Sequence, residues 1–441
     1  SRLIVMNIAL KATLQKPLLG WGPDNFEIAY QQNFNPDITN VLPLENRFDK
    51  THNMLLEILC TTGIIGLISY LCIFYFAYKE LKNINSINFW PKIILFLYML
   101  VYFIQNIFLF DVLEGYLLLF MIFAFISSQS NPIKTKLKPI KITLPRPIQT
   151  IILVILCAIL CFTIYNYNIL VLITATKHKK AESLIQSQQI EEGIAAIKDK
   201  YNTKTFINDF LIYGDLELLS SGDLTKFSKQ QIQDVYLFLN TQIDDVIQRQ
   251  PLNLRIHIAK LVNILSKVRW NQHLTPQDIQ LARSTKQNID QLKLVLPDTD
   301  IYFLQILINS PQKQDQLEAV KLLKQFNITY PKIAIAPWIL GNYLVNNNQY
   351  KEGLKYLKQA IQTGPVFNSF QSVLKGIDLF MKVGDIDTAL QIAQYTEKQT
   401  KNEPALYMKL AQIYLQQNNN KEALNAILRA KYLYDIYPSL K

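Results

Sequence analysis

The fold is decided by Phe48-Asp49-Lys50-Thr51-His52-Asn53-Met54-Leu55-Leu56-Glu57 and the run that follows it, Ile58-Leu59-Cys60-Thr61-Thr62-Gly63-Ile64-Ile65-Gly66-Leu67. A polar knot with one imidazole gives way to a long apolar stretch, so the chain passes from water into hydrocarbon within a few residues. A titratable ring at such a boundary can handle protons for a lipid-anchored substrate, which makes His52 the first candidate functional residue. Thr51 reads as a helix N-cap, with His52 and Asn53 in the first turn, where the positive dipole end disfavours imidazolium and leaves a neutral base.

Outward from this point, four apolar runs are long enough to cross ~30 Å of hydrocarbon: Met54 to Tyr78, Ile93 to Leu109, Val112 to Ser127 and Ile148 to Thr174. The second and third form a tight hairpin around Phe110-Asp111-Val112, whose tip carries Asp111 and Glu114. Lys79, Lys82 and Lys92 lie between the first two runs, and Lys134, Lys136, Lys138, Lys141 and Arg146 between the last two. The positive-inside rule makes both loops cytoplasmic, with His52 and everything after Thr174 outside. Lys177, Lys179 and Lys180, just beyond the last run, oppose that assignment but are fewer. An even number of crossings puts His52 and the C-terminal region on one side whichever way the chain inserts.

The formal charge of +11 over 441 residues comes largely from such basic segments, and with no aromatic-basic recognition motif beside it the chain is not read as binding nucleic acid. Cys60, Cys72, Cys157 and Cys161 all fall in apolar runs and read as small buried hydrophobes, not as a metal site or disulfide frame. No signal peptide precedes the first helix, so the chain reads as the C-terminal part of a longer membrane protein.

Beyond Lys177 the composition turns to Gln, Asn, Lys and Asp with helical spacing, and a period emerges. Ala319, Gly353, Ala389 and Ala423 follow one another at 34, 36 and 34 residues, each after an acidic or polar residue, and Pro331 and Pro365 repeat the 34-residue interval. Small residues at this period let paired helices approach closely, and the proline ends the second helix of a pair. The pattern resembles the tetratricopeptide repeat, with Trp338 one place off register and Thr396 where a small residue is expected. Glu191-Glu192-Gly193-Ile194 marks a degenerate unit. Arrays of this kind bind peptides or proteins in a concave groove, or act as rigid spacers.

Ahead of the first span, an amphipathic helix begins at Arg2, carries Leu3, Met6, Leu10 and Leu14 on one face, and stops at Pro17. Pro17-Leu18-Leu19-Gly20-Trp21-Gly22-Pro23-Asp24-Asn25-Phe26 then forms a glycine-permitted turn with an aromatic anchor. Arg2, this segment, the Asp49–Glu57 stretch and Thr62-Gly63-Ile64-Ile65-Gly66-Leu67 together resemble the C-terminal signature of the O-antigen ligase and O-antigen polymerase superfamily. The resemblance implies a polytopic membrane glycosyltransferase with an extracytoplasmic site and, in many members, C-terminal tetratricopeptide repeats. It implies transfer or polymerisation of a glycan from an undecaprenyl-pyrophosphate-linked donor onto an acceptor lipid, glycan or protein, with no cofactor and no metal ion. It assigns catalysis to His52 and Arg2, matching the family's histidine and loop arginine, and places another important arginine upstream of Ser1. Arg2's fork of donors suits a pyrophosphate, and Lys50 adds a diffuse charge. Lys50, Asn53 and Trp21 are the candidate substrate-binding residues, while Asp111 and Glu114 hydrate the hairpin tip or orient His52. His178, His257 and His273 receive no role.

The expected fold is all-α: the C-terminal part of a polytopic transmembrane helical bundle followed by a soluble α-solenoid of tetratricopeptide-like repeats. The expected divisions are an extracytoplasmic loop over residues 1–53, four transmembrane helices over 54–175, a degenerate helical region over 176–300 and the repeats over 301–441. The expected location is the cytoplasmic (inner) membrane, multi-pass, with the repeat domain outside and open to a protein partner. A protein O-oligosaccharyltransferase of the same superfamily and a non-enzymatic membrane-anchored repeat scaffold are the alternatives.

Overall fold

The computed structural model describes residues 2–43, 47–109, 112–129, 145–221, 227–364, 366, 370–400 and 402–436. Asp111, Lys134, Lys136, Lys138, Lys141, Pro365 and the terminal Lys441 lie outside the described residues. Among those described, every regular element is a helix, and the chain divides into two compact units, residues 1–312 and 313–441.

The first unit opens with three short helices, α1 (Arg2–Gln15), α2 (Phe26–Gln32) and α3 (Asp37–Val41). Val5, Ile8, Ala9 and Ala12 are the buried face of α1, whereas Leu3 and Leu14 are both 80% exposed. The leucine face that sequence spacing singles out is therefore the outward one, and α1 is apolar on both sides. The small Ala9 and Ala12 let neighbouring backbone approach on the opposite face.

Then come the apolar helices α4 (Met54–Asn83), α5 (Phe89–Phe108), α6 (Leu113–Gln129) and α7 (Arg146–Ile164). Phe74 of α4 is the ring that unites the first three, meeting Tyr102 and Phe103 of α5 and Phe123 of α6 at centroid distances of 6.1, 5.6 and 5.8 Å. Their other faces stay apolar and uncovered, as hydrocarbon-facing helices require. Among the described residues three helices are long and apolar enough to cross a membrane, and α6, apolar over 17 residues, is somewhat shorter. Cys60 is buried within the protein, but Cys157 and Cys161 lie exposed on α7, because that helix packs against none of the other three over its apolar length.

The last apolar run does not stop at Thr174. A π-turn at Tyr165–Ile169 joins α7 to α8 (Leu170–Gln186), making one 41-residue rod whose upper part enters the polar half of the unit. There it meets α9 (Ile190–Asn202), α10 (Ile207–Ser221), α11 (Lys229–Arg249), α12 (Leu254–Arg269), α13 (Pro276–Gln291) and α14 (Pro297–Ile308). Almost every residue of α12 from Leu254 to Lys267 is buried, so α12 is the axis of this layer. His257 belongs to that axis, its Nε2–H donating to the Pro251 carbonyl at 2.8 Å. Lys177 pairs with Asp199 Oδ2 at 2.9 Å, so the basic residues that opposed the charge rule belong to the folded polar domain, with at least one neutralised there.

The second unit comprises α15 (Lys313–Thr329), α16 (Ile335–Asn346), α17 (Tyr350–Thr363), α18 (Phe370–Lys382), α19 (Ile386–Gln399), α20 (Pro404–Gln416) and α21 (Asn420–Ile436). The periodic residues Ala319, Gly353, Ala389 and Ala423 are all buried, on α15, α17, α19 and α21. A Cβ on Gly353 would lie 2.7 Å from Val345 and one on Gly341 2.7 Å from Leu357, so α16 and α17 run antiparallel with backbones nearly touching. Each hairpin turns through one left-handed residue, Asn348, Gly384 or Asn418, and the next N–H reaches back to Leu344, Phe380 or Tyr414 at 2.8–2.9 Å. Gln188 makes the same turn between α8 and α9, closed by Gln189 N–H on Leu184 at 2.9 Å, and Gly193 packs on Ile185. The degenerate unit at Glu191–Ile194 is thus a hairpin of the same geometry as the three clear pairs.

Candidate functional site

Helix α4 is broken. Gly63 sits at φ 69°, ψ −170°, between a short helix that starts at Met54 and a longer one that ends at Asn83. A break within an apolar helix frees carbonyls on its N-terminal side and N–H groups on its C-terminal side, which have to be satisfied inside the protein. The Pro17–Gly22 segment does this: Trp21 and Gly22 N–H donate to the Cys60 and Thr61 carbonyls at 3.0 and 2.7 Å, and Ile64 N–H donates to the Pro17 carbonyl at 2.9 Å. The fit leaves no room for side chains. A Cβ on Gly63 would lie 2.2 Å from the Leu18 carbonyl oxygen, and one on Gly20 2.4 Å from the Thr61 carbonyl carbon. Two glycine motifs 40 residues apart in sequence are therefore one structural device.

Trp21 braces this plug, its indole N–H donating to the Ala12 carbonyl at 2.9 Å while Lys16 Nζ lies 4.1 Å from the ring centroid. It is half-buried, with its polar edge committed to α1.

The upper end of α4 is capped by Asn53, not Thr51. Asn53 has extended backbone and its side chain accepts from Leu56 N–H at 3.0 Å. Thr51 instead ties the entry turn, its hydroxyl donating to the Asn53 carbonyl at 2.7 Å and its N–H to Glu57 Oε2 at 2.8 Å. His52 consequently lies outside the helix, in the left-handed region at φ 56°. The first-turn dipole argument therefore applies to Asn53 and its successors and only indirectly to His52. A non-glycine residue held at positive φ is a strained conformation of the kind that gathers at functional sites. The ring is oriented edge-on to Phe48 at 6.2 Å, Phe48 packs on Tyr30 at 5.5 Å, and Tyr30 meets Phe26 at 6.3 Å.

Lys50 stands beside it. Its ammonium bonds to the exposed Asp24 at 2.5 Å and lies 4.0 Å from Oε1 of the buried Glu57, an oxygen with no hydrogen-bond partner. Partial burial opposes the charge, but the hydrogen bond and field of Asp24, with Glu57 and Asp49 behind, hold the lysine above its ordinary value. Asp24 and Glu57 are the members of the site that sequence reading missed. The available signal was Glu57 itself, an acid at the start of an apolar run.

Arg2, at the start of α1, donates to the Phe108 carbonyl at the end of α5 at 3.4 Å. Asn53 is buried and occupied as a cap.

The loop is clasped from above by the polar layer. Val295 N–H donates to the Gln31 carbonyl at 3.2 Å, Gln32 Nε2 to the Leu292 carbonyl at 3.1 Å, and Arg47 pairs with Asp298 at 2.8 Å. Glu27 lies in the same seam, its carboxyl raised by burial against the opposing charges of Arg47 and Arg255.

One comparison with known proteins falls on this part of the chain. A family model described as O-Antigen ligase matches residues 1–71, which takes in α1, the glycine plug, the His52 turn and the broken part of α4. A protein of Rickettsia felis named "Putative polysaccharide ligase" is 39% identical over 90 residues, 19% of this chain and 20% of that protein. The chain thus matches about a fifth of the length of that curated relative.

Proposed function

We propose that the chain is part of a membrane glycosyltransferase that ligates or polymerises a glycan from an undecaprenyl-pyrophosphate-linked donor onto an acceptor outside the cytoplasmic membrane. The observation that carries this reading is the coincidence of the O-Antigen ligase match with a place where a histidine, a lysine and a broken apolar helix come together.

In this reading His52 accepts the proton of the acceptor hydroxyl, and its strained turn and aromatic backing fix the ring before the substrate arrives. Lys50 and Arg2 neutralise the pyrophosphate as it leaves. An exposed ion pair such as Lys50–Asp24 is worth little, so Lys50 can exchange Asp24 for a phosphate oxygen while Glu57 keeps it at the site. Asn53 and Trp21 serve by holding the turn and the plug.

The topology supports the same reading. Contacts of Gln31, Gln32 and Arg47 with Leu292, Val295 and Asp298 bind residues before α4 to residues after α8, which supports placing both on one side of the membrane. That requires an even number of crossings, and α6, ~25 Å at ~1.5 Å per residue, then crosses with α4, α5 and α7. The repeated hairpins of the second unit read as tetratricopeptide-like and suit recruitment of a protein partner.

The test is glycan transfer from a purified polyprenyl-pyrophosphate donor by the full-length protein with chelator present. His52→Ala is expected to lose roughly 10²–10⁴-fold, and Arg2→Ala to be severely impaired, with Arg2→Lys a poor rescue because a point charge lacks the bidentate fork. His273→Ala, on an exposed residue of the polar layer, is the control. His178→Ala cannot serve, since His178 Nδ1 is 3.1 Å from the buried Asp215. Full transfer by His52→Ala refutes the assignment.

A further inference from the structure

We infer that the α9–α10 corner of the polar layer docks into the lipid bilayer, through Phe206 and Phe210 with the exposed lysines around them. The partner is the interfacial zone of the same membrane that α7 crosses. This goes beyond glycan transfer and does not depend on it.

The corner is placed by α8. Thr174, on that helix, has its hydroxyl 3.1 Å from the hydroxyl of Thr205, so the corner returns to the rod at the top of its apolar run. The Phe206 ring then reaches downwards, to 6.4 Å from the ring of Tyr167. Tyr167 is seven residues before Thr174, about 10 Å further into the apolar segment at ~1.5 Å per residue. Phe210 follows Phe206 one helical turn on, with centroids 6.5 Å apart.

These rings are not core. Phe206 is 51% exposed, Phe210 61% and Tyr167 62%, and Leu172 and Ile173 on the same stretch of the rod are also exposed. In water such a patch on a polar domain would be a liability, whereas here it is continuous with the uncovered apolar surface of α7, which the bilayer covers. Aromatic rings at headgroup level are the anchors that membrane proteins use. The charges agree. Lys204 beside Phe206, and Lys179 and Lys180 on α8, are all exposed, a basic rim facing anionic headgroups. Higher on α10 the same face turns polar at Glu217.

The consequence is a second fixed point for the polar layer. One is its clasp on the catalytic loop, and the other is the bilayer itself, so the height of the loop above the lipid is set from both ends.

The experiment uses the full-length protein, its native cysteines replaced by alanine, reconstituted into phosphatidylethanolamine and phosphatidylglycerol bilayers. Phe206→Cys, Phe210→Cys and Ser187→Cys are labelled with an environment-sensitive fluorophore and exposed to lipids carrying a shallow spin-label quencher. Ser187 is exposed at the far end of the α8–α9 hairpin, ~20 Å along α8 from Thr174 at ~1.5 Å per residue. Strong quenching and blue-shifted emission at 206 and 210, with neither at 187, is the expected result. Equal aqueous accessibility at all the labelled positions overturns the proposal. Phe206→Trp preserves an aromatic ring where the cysteine variant unfolds: brominated-lipid quenching beyond that of the parent's tryptophans supports docking, and its absence refutes it.

Discussion

Replacing Gly63 by alanine tests the plug directly. At φ 69°, ψ −170° the residue occupies a region essentially reserved for glycine, costing a side chain about 1–3 kcal/mol. The added methyl would also lie 2.2–2.6 Å from the backbone of Leu18 and Leu19, which cannot rotate aside, so the Pro17–Gly22 segment has to withdraw. Withdrawal endangers the hydrogen bonds of Trp21, Gly22 and Ile64 across the break, each worth about 0.5–1.5 kcal/mol net. With two or more lost, the sum is roughly 2–6 kcal/mol. Cys60 is fully buried beside the break and reports on it locally, without assuming that the two units melt together. In a protein keeping only that cysteine, Gly63→Ala should speed maleimide modification by about 30-fold or more, since ~1.4 kcal/mol is a factor of ten. Gly384→Ala is the comparison: its φ is 81° and no atom lies within 4 Å of the added carbon, so only the backbone term of about 1–2 kcal/mol remains, in the other unit, and Cys60 should stay protected. Unchanged Cys60 protection in Gly63→Ala would refute the account of the broken helix.

Other outcomes are expected elsewhere. Asp215→Ala strips the buried Lys200 of its partner and should destabilise the α8–α10 layer by about 3–5 kcal/mol, whereas Asp215→Leu with Lys200→Met should recover most of that; denaturant unfolding of the first unit reads both. Burial alone would raise the Asp215 carboxyl, but hydrogen bonds from His178, Lys200 and Tyr201 and the charge of Lys200 hold it below the ordinary value. Its stabilisation is therefore complete above the unfolded value of about 3.9 and lost as pH falls through the lower folded one, so Asp215→Asn should flatten the acid limb of a stability–pH curve. Glu57→Gln removes the carboxylate that faces Lys50 and should weaken donor binding more than it weakens folding, read as a raised KM with the melting transition nearly unchanged. Asp298→Ala, which cuts a half-exposed pair with Arg47, should cost no more than about 1 kcal/mol.

Hydropathy was enough to locate α4, α5, α6 and the start of α7 to within several residues, because burial in hydrocarbon imposes a composition that no turn interrupts. The small-residue period located the second unit's hairpins for a similar reason, since Gly353 is where backbones touch and Ala423 is buried in its own pair. Three features were not legible. The rod from Arg146 to Gln186 has no terminating signal at Thr174, because Lys177 and His178 are good helix residues that simply change solvent. The cap moved from Thr51 to Asn53, since both types cap equally well and only the Thr51–Glu57 bonds decide between them. His178 looked isolated because its partner Asp215 is 37 residues away on another helix.

The plug and the site also explain each other. A continuous α4 would carry its N-terminal turn straight out of the apolar layer. The break at Gly63 instead lets the Met54–Thr62 segment be fixed by α1 and the Pro17–Gly22 loop. Cys60 and Thr61 are held through their carbonyls, Asn53 closes the top, and Glu57, one turn below, faces Lys50 from inside the protein. His52 then sits in a turn fastened through Thr51 on one side and Asn53 on the other. A lipid-linked donor cannot tumble into such a site as a soluble substrate does; it arrives at a height set by its pyrophosphate. If His52 is the base proposed above, it has to be held at a matching height, and a pinned half-helix with a polar layer clasped above it would hold it there.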